Sequence, residues 1–192
     1  MAKSILVLNG HPDPRPERFC AALAEAYGDA ARAAGHAVHR IDLGALDTPL
    51  LDAAAAFGDP TSAVFRTVQD EILAADHLVL VFPLWLGMAP AKTKAALEQI
   101  YRAGFGFTVR PRGWTSKLQG RSARVIVTLS TPGPFFRLVF GGHGLLALEK
   151  SVLWLSGFKP IRRSVVGDVE GIGPKGRARW LAKMRVLGAR GV

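Results

Sequence analysis

The chain has 192 residues, of which 49% are hydrophobic and 21% charged, with one cysteine and a net charge of +10. That length suits a single domain over residues 1–192 with a full core, and the composition is that of an ordinary globular protein. The lone Cys20 excludes an internal disulfide, the longest apolar stretch (78–90, with two prolines) is too short to span a bilayer, and Ile5–Leu8 is too short for a signal peptide, so a reducing, cytoplasmic setting is expected.

The charge is uneven. Residues 1–91 carry 6 Lys/Arg against 11 Asp/Glu, whereas residues 92–192 carry 19 against 4. A solvated basic face with local steering of anions accounts for this better than nucleic-acid binding does. No nucleic-acid motif accompanies the charge, and Trp114, Trp154 and Trp180 are far apart in the chain.

In chain order, Ser4–Leu8 reads as a buried strand and Asn9–Pro16 as a Pro-rich loop. Glu17–Ala34 is an Ala-rich helix that Gly35 terminates. Ala37–Leu43 alternates and suits an edge strand. An irregular connection, 44–60, leads to a helix capped by Thr61 or Ser62 and reaching about Ala75. His77–Phe82 is a wholly apolar strand, followed by a helix over Ala91–Ala103 and a basic, aromatic excursion over Phe105–Gln119. Ala123–Leu129 is a further apolar strand, 130–142 a Pro/Gly-rich loop, and His143–Ser156 helical by period. Lys159–Val166 and Lys175–Leu187 supply the last strand and helix.

Five strands alternating with helices predict an α/β chain with a parallel sheet covered on both faces. Right-handed crossovers make it doubly wound, and the flavodoxin-like order 2-1-3-4-5 fits an edge-like second strand beside central first and third strands. The loops after strands 1 and 3 then face each other across the crevice where such sheets bind ligands.

The second of those loops, Pro83-Leu-Trp-Leu-Gly-Met88, is apolar where loops are normally polar, which suggests a wall for a flat, greasy ligand. The first places His11 past the strand, with Arg15 and Arg18 at the helix start, where free N–H groups and the positive dipole end suit a phosphate. No P-loop, zinc-binding Cys pair, His-Glu-x-x-His or Gly-x-Ser-x-Gly occurs, and no metal site is expected. Gly171-Ile-Gly-Pro-Lys-Gly176 imitates a dinucleotide fingerprint, but no acid follows it and Pro174 removes an N–H, so it reads as a turn into the last helix.

Gly-His-Pro-x-Pro at 10–14, Phe-Pro-Leu-Trp at 82–85, the Gly/Pro loop at 130–134 and the segment Gly141–Lys150 resemble flavodoxin-like NAD(P)H:quinone oxidoreductases. That family includes the mammalian quinone reductase type and bacterial relatives, some of them ancillary subunits of potassium efflux antiporters. The resemblance implies a non-covalent flavin, FMN or FAD, reduced by NADH or NADPH and reoxidised by a quinone-like acceptor in a ping-pong cycle; the short chain and the lack of an adenosine-specific feature favour FMN. It implies that His11, Arg18 and Phe19 hold the phosphate. Pro83, Leu84, Trp85, Leu86 and Gly87 would wall the ring, with the N–H groups of 84–87 on its pyrimidine edge. Thr131, Pro132 and Gly133 would form the opposite border. His143 corresponds to the family's catalytic His, whereas Phe135 and Phe136 stand where mammalian relatives have Tyr. A homodimer with the site at the subunit boundary is implied, with Phe105–Trp114 offered as that boundary and Arg110, Arg112 and Lys117 as cofactor-steering cations. The alternative is an ancillary subunit docking an acidic or membrane-protein partner.

Overall fold

The first strand, β1 (Ser4–Asn9), is buried from Ile5 to Asn9, as a central strand covered on both faces must be. The computed structural model describes residues 1–192, the side chain of Arg137 excepted. β2 (Ala37–Asp42) alternates between exposed and half-buried positions, and β3 (His77–Pro83) is buried throughout. β6 (Ser122–Thr128) is buried from Ala123 onward, and β7 (Ile161–Val166) is half open to solvent. These five strands form one parallel sheet in the order β2-β1-β3-β6-β7, the expected 2-1-3-4-5 with its two half-exposed strands at the edges.

Alternation along the strands divides the core. Ile5, Val7, Val79, Val81 and Ile126 pack beneath α1 (Phe19–Ala33) and α6 (Gly173–Ala189), together with Met184. Leu6, Leu8, Leu80, Phe82 and Val125 face α2 (Ala63–Ala74) and α3 (Ala91–Ile100) through Phe65 and Ile100. Burial of these side chains supplies roughly 1.5–3 kcal/mol each before chain entropy is subtracted. Gly35, at φ +86°, ends the α1 turn as a left-handed residue. Ser62 precedes α2 but makes no side-chain capping bond.

The excursion after α3 contains a β-hairpin, β4 (Phe107–Arg110) and β5 (Gly113–Ser116). The 130–142 loop contains α4 (Gly133–Leu138). The helix expected over His143–Ser156 starts as α5 (His143–Ala147) and widens into a π-helical stretch over Leu148–Trp154. Gly171–Gly176 forms the turn into α6, which begins at Gly173. Among the described residues no helix is long and apolar enough to cross a membrane.

Because the sheet is parallel, the loops after β1, β3, β6 and β7 gather at one end. The hairpin lies at the other end, where Ser116 Oγ donates to the Leu155 carbonyl (2.7 Å) and the Leu118 amide to that of Ser156 (2.8 Å). The predicted steering cations Arg110, Arg112 and Lys117 belong to that segment. They therefore sit at the N-terminal ends of the strands, opposite the crevice, and so does the Phe105–Trp114 boundary proposed from the sequence. The same hairpin brings Trp114 to Trp154, with ring centroids 5.3 Å apart, although they are distant in the chain.

Candidate functional site

The first loop is tightly held. The Gly10 amide donates to the Val81 carbonyl (2.7 Å), and Thr93 Oγ1 of α3 donates to the Gly10 carbonyl. A Cβ on Gly44, just past β2, would collide with the carbonyls of His11 and Pro12, so the loop is wedged where only glycine leaves room. His11 anchors its ring to the loop, with Nδ1 2.8 Å from the Asp13 carbonyl oxygen and 3.1 Å from the Asp13 amide. Partial burial, with the charge of Arg18 adding to it, lowers the His11 pKa and favours the neutral imidazole.

Arg18 stands at the N-cap of α1 without a side-chain capping bond, and the first turn contains no acid. Unsatisfied N–H groups and the positive dipole end are thus offered to an anion. Arg18 and Arg15 both reach Asp13, whose carboxyl they hold well below its usual range, the Arg15 hydrogen bonds contributing most. Phe19, the first α1 residue, lies under the Arg177 guanidinium, 5.3 Å from its ring centroid.

Across the crevice, Trp85 and Met88 close a miniature hairpin, Trp85 N–H to Met88 O at 2.9 Å and Met88 N–H to Trp85 O at 3.0 Å. Its two central residues, Leu86 and Gly87, have φ of +51° and +76°, the signature of a type I′ turn. Leu86 is a branched side chain in left-handed backbone, 99% exposed. The turn commits the Trp85 amide, and the Leu84 amide donates to the Thr128 carbonyl (2.7 Å). Of the four N–H groups expected to face a ring edge, those of Leu84 and Trp85 are therefore spent within the protein. Those of Leu86 and Gly87 have no partner among the described residues. The Trp85 ring meets His11 edge to face, centroids 6.3 Å apart, which joins the two loops as the topology requires.

A cavity of about 720 Å³ opens beside this turn, lined by Leu84, Leu86, Gly87 and Met88, by Leu129, Ser130 and Thr131, and by Phe136, Phe140, His143, Gly144 and Ala147. Leu84, Leu86, Gly87, Thr131 and His143 were expected there. Trp85 faces His11 instead, Pro83 ends β3 inside the core, and Pro132 and Gly133 are taken into the start of α4. Phe136 is buried, while Phe135 is half exposed and packs edge to face on Phe140 at 5.6 Å. Met88 belongs to the apolar loop read as a wall, whereas Ser130, Phe140 and Gly144 were not singled out from the sequence. Gly144 is the most informative of these, since a Cβ there would strike the Gly87 carbonyl, so α5 leans directly on the turn.

These features fit a flavin. The cavity volume is that of a cofactor site, its walls are apolar, two unpaired N–H groups border it, and an uncapped helix terminus with arginines lies past Trp85. Cys20 is no rival nucleophile: it is buried against Thr128 Oγ1 (3.4 Å), and burial pushes its thiol up to about 11. Among the described residues no group of His, Cys, Asp and Glu side chains could hold a metal ion.

A family model described as "flavodoxin-like fold" matches residues 3–186. A protein of Nostoc sp. named FMN-dependent NADH:quinone oxidoreductase is 35% identical over 138 residues, covering 58% of this chain and 66% of that protein. The chain spans between 45% and 66% of the length of the first curated relatives it matches. Among solved structures, an NAD(P)H:quinone oxidoreductase from Methanothermobacter marburgensis superposes with a TM-score of 0.80 at 19% identity, covering 98% of each chain. An FMN-dependent NADH-azoreductase from Bacillus anthracis, in complex with FMN, gives 0.77 at 17% identity over 99% of each. At that identity the two structures speak for the fold.

Proposed function

We propose, from the premise that the chain belongs to the flavodoxin-like fold family, that it is a flavin-dependent NAD(P)H oxidoreductase passing two electrons by way of bound FMN to a quinone or similar electrophile. The observation that carries this reading is the apolar cavity of about 720 Å³ between the strained 84–88 turn and α5, at the crevice end of the sheet. The names of the relatives, FMN-dependent NADH:quinone oxidoreductases, support both cofactor and acceptor class.

Bound FMN would supply two-electron chemistry between a nicotinamide and the acceptor. The protein's part is orientation and exclusion of water. The N-terminus of α1 with Arg18 would take the phosphate, and His11, fixed through Nδ1, would present Nε2 beside it. The amides of Leu86 and Gly87 would donate to the ring carbonyls, and Thr131 would border the other side. Leu84, Met88, Phe136 and Phe140 would exclude water from the ring face, and the open mouth would let donor and acceptor enter in turn. His143, exposed at the cavity's edge, would hand a proton to a reduced acceptor oxygen.

The reading takes residues 1–192 as one domain, supported by a sheet running from β1 to β7 with α6 packed against α1. It also takes the protein to be a cytoplasmic homodimer. Trp85, Leu86, Met88, Phe135, Leu138, Val139 and Phe140 all stand between 48% and 99% exposed around the cavity, an apolar rim that a second copy would cover. Double-mixing stopped flow tests the activity. NADH or NADPH should bleach the FMN-loaded protein, and a quinone should restore the colour. A loaded protein that neither nicotinamide reduces would contradict the proposal.

A further inference from the structure

Asp13 makes more contacts to cations than the loop's own stability explains. Its carboxylate accepts the Arg15 amide (3.1 Å to Oδ1), Arg15 Nε (3.0 Å to Oδ1 and 2.9 Å to Oδ2), Arg15 Nη2 (2.7 Å to Oδ2) and Arg18 Nε (2.7 Å to Oδ2). Arg18 Nη2 reaches Oδ2 as well. Both guanidinium groups are thereby turned onto one internal anion at the first turn of α1.

The arginine side chains are 66% and 41% exposed, and ion pairs this open to water add little to stability. The loop is already fixed by Pro12, Pro14 and Pro16, by the Thr93 hydroxyl on Gly10, and by the close approach of Gly44. The cluster therefore needs a reason other than folding. The only acids in the loop are Asp13 and Glu17, and Glu17 makes no ion pair among the described residues. Asp13 is thus the acid that pairs directly with both arginines where a phosphate would sit, while Glu17 acts on Arg15 only at longer range.

Resting on the flavin reading above, the geometry points to Asp13 as an internal competitor for the phosphate: its carboxylate occupies the Arg15 and Arg18 donors that a phosphate monoester would otherwise take, and so sets the affinity for phosphorylated flavin. An arriving dianion must displace or share these donors, and it meets a carboxylate of its own sign. Binding is then opposed chiefly by the Asp13 charge facing the dianion, not by the strength of the ion pairs, and the site holds FMN less tightly than its arginines alone would allow. The residue thus governs how readily FMN exchanges. It has no contact with the predicted ring pocket, so riboflavin, which lacks the phosphate, should not sense it.

The experiment is a fluorescence-quenching titration of the full-length protein with FMN and with riboflavin. It compares wild type with Asp13→Asn, which keeps the shape and removes the charge, and with Arg18→Ala. Circular dichroism melting verifies that each variant folds. The expected result is that Asp13→Asn tightens FMN about tenfold, a change worth about 1.4 kcal/mol, leaves riboflavin unchanged and steepens the salt dependence of FMN binding, while Arg18→Ala weakens FMN alone. Weaker or unchanged FMN binding in folded Asp13→Asn would overturn the inference, because Asp13 would then be aligning the arginines rather than competing for them. Should wild type and variants all fail to bind either flavin, the flavin reading itself falls, an outcome separable from failure of the Asp13 role.

Discussion

Leu86 shows how much of the site turns on a single backbone angle. A non-glycine residue at positive φ costs about 1 kcal/mol, and with the Leu86 side chain 99% exposed no packing within the chain offsets it. Leu86→Asn creates the Asn-Gly pair that type I′ turns prefer, and should raise unfolding free energy by about 0.5–1 kcal/mol. Urea denaturation measures this, and an unchanged midpoint would show that the turn is unstrained. His77 is a second residue with a readable consequence. It is wholly buried against the Tyr27 ring, with Nδ1 2.7 Å from Ser122 Oγ and Nε2 unpartnered. Burial lowers its pKa from 6.5 to about 3. Below pH 6.5 the unfolded chain takes up a proton that the folded chain refuses, so stability present above that pH is lost as pH falls toward about 3, at up to about 1.4 kcal/mol per unit. Unfolding curves for His77→Gln, compared with wild type over that window, should show a shallower slope. That His11 and Trp85 face each other across the crevice was legible in the sequence, because each follows a recognisable central strand. The donor roles assigned to Leu84 and Trp85 were not correctly legible, because a turn that consumes the Trp85 amide depends on Leu86 adopting a conformation leucine rarely takes. Asp13 was overlooked since its grip on two arginines is a matter of side-chain direction.

At the level of elements, the three central strands β1, β3 and β6 were legible as continuous apolar runs suited to a doubly covered sheet, and the edge strand β2 by its alternation. The β4–β5 hairpin escaped because its strands are four residues each, too short for alternation to show. α4 escaped because Gly and Pro open it, which is as compatible with a helix start as with a loop. α5 was found, but its widening to a π-helix leaves no mark on apolar periodicity over so few residues. The union of elements that matters most is the contact of α5 with the 84–88 turn through Gly144. Gly144→Ala should push the turn away from α5, loosening the cavity wall that would hold the ring. FMN and riboflavin should both bind several-fold more weakly, in contrast to Arg18→Ala, and the melting temperature should drop by a few degrees. Equal loss for both flavins in the same titrations verifies it, and selective loss of FMN would argue against it.

For the molecule as a whole, the two ends of the sheet have different characters. The crevice end carries the cavity and the exposed apolar rim, and the opposite end carries the basic hairpin with the Trp114–Trp154 pair. The charge imbalance read from the sequence did not show which end held the cations, since net charge by segment says nothing of where a crossover delivers it. The apolar rim gives the dimer its test: sedimentation velocity should show wild type at twice the chain mass, and Leu86→Asp with Phe140→Asp should yield monomers that remain folded. A monomeric wild type would contradict the covering of the rim by a second copy. Seating of FMN in this crevice is read most directly from the visible spectrum of the protein titrated with FMN and then freed of unbound ligand. The prediction is one FMN retained per chain, with oxidised-flavin absorbance near about 450 nm. A protein that emerges colourless after saturating FMN would contradict it.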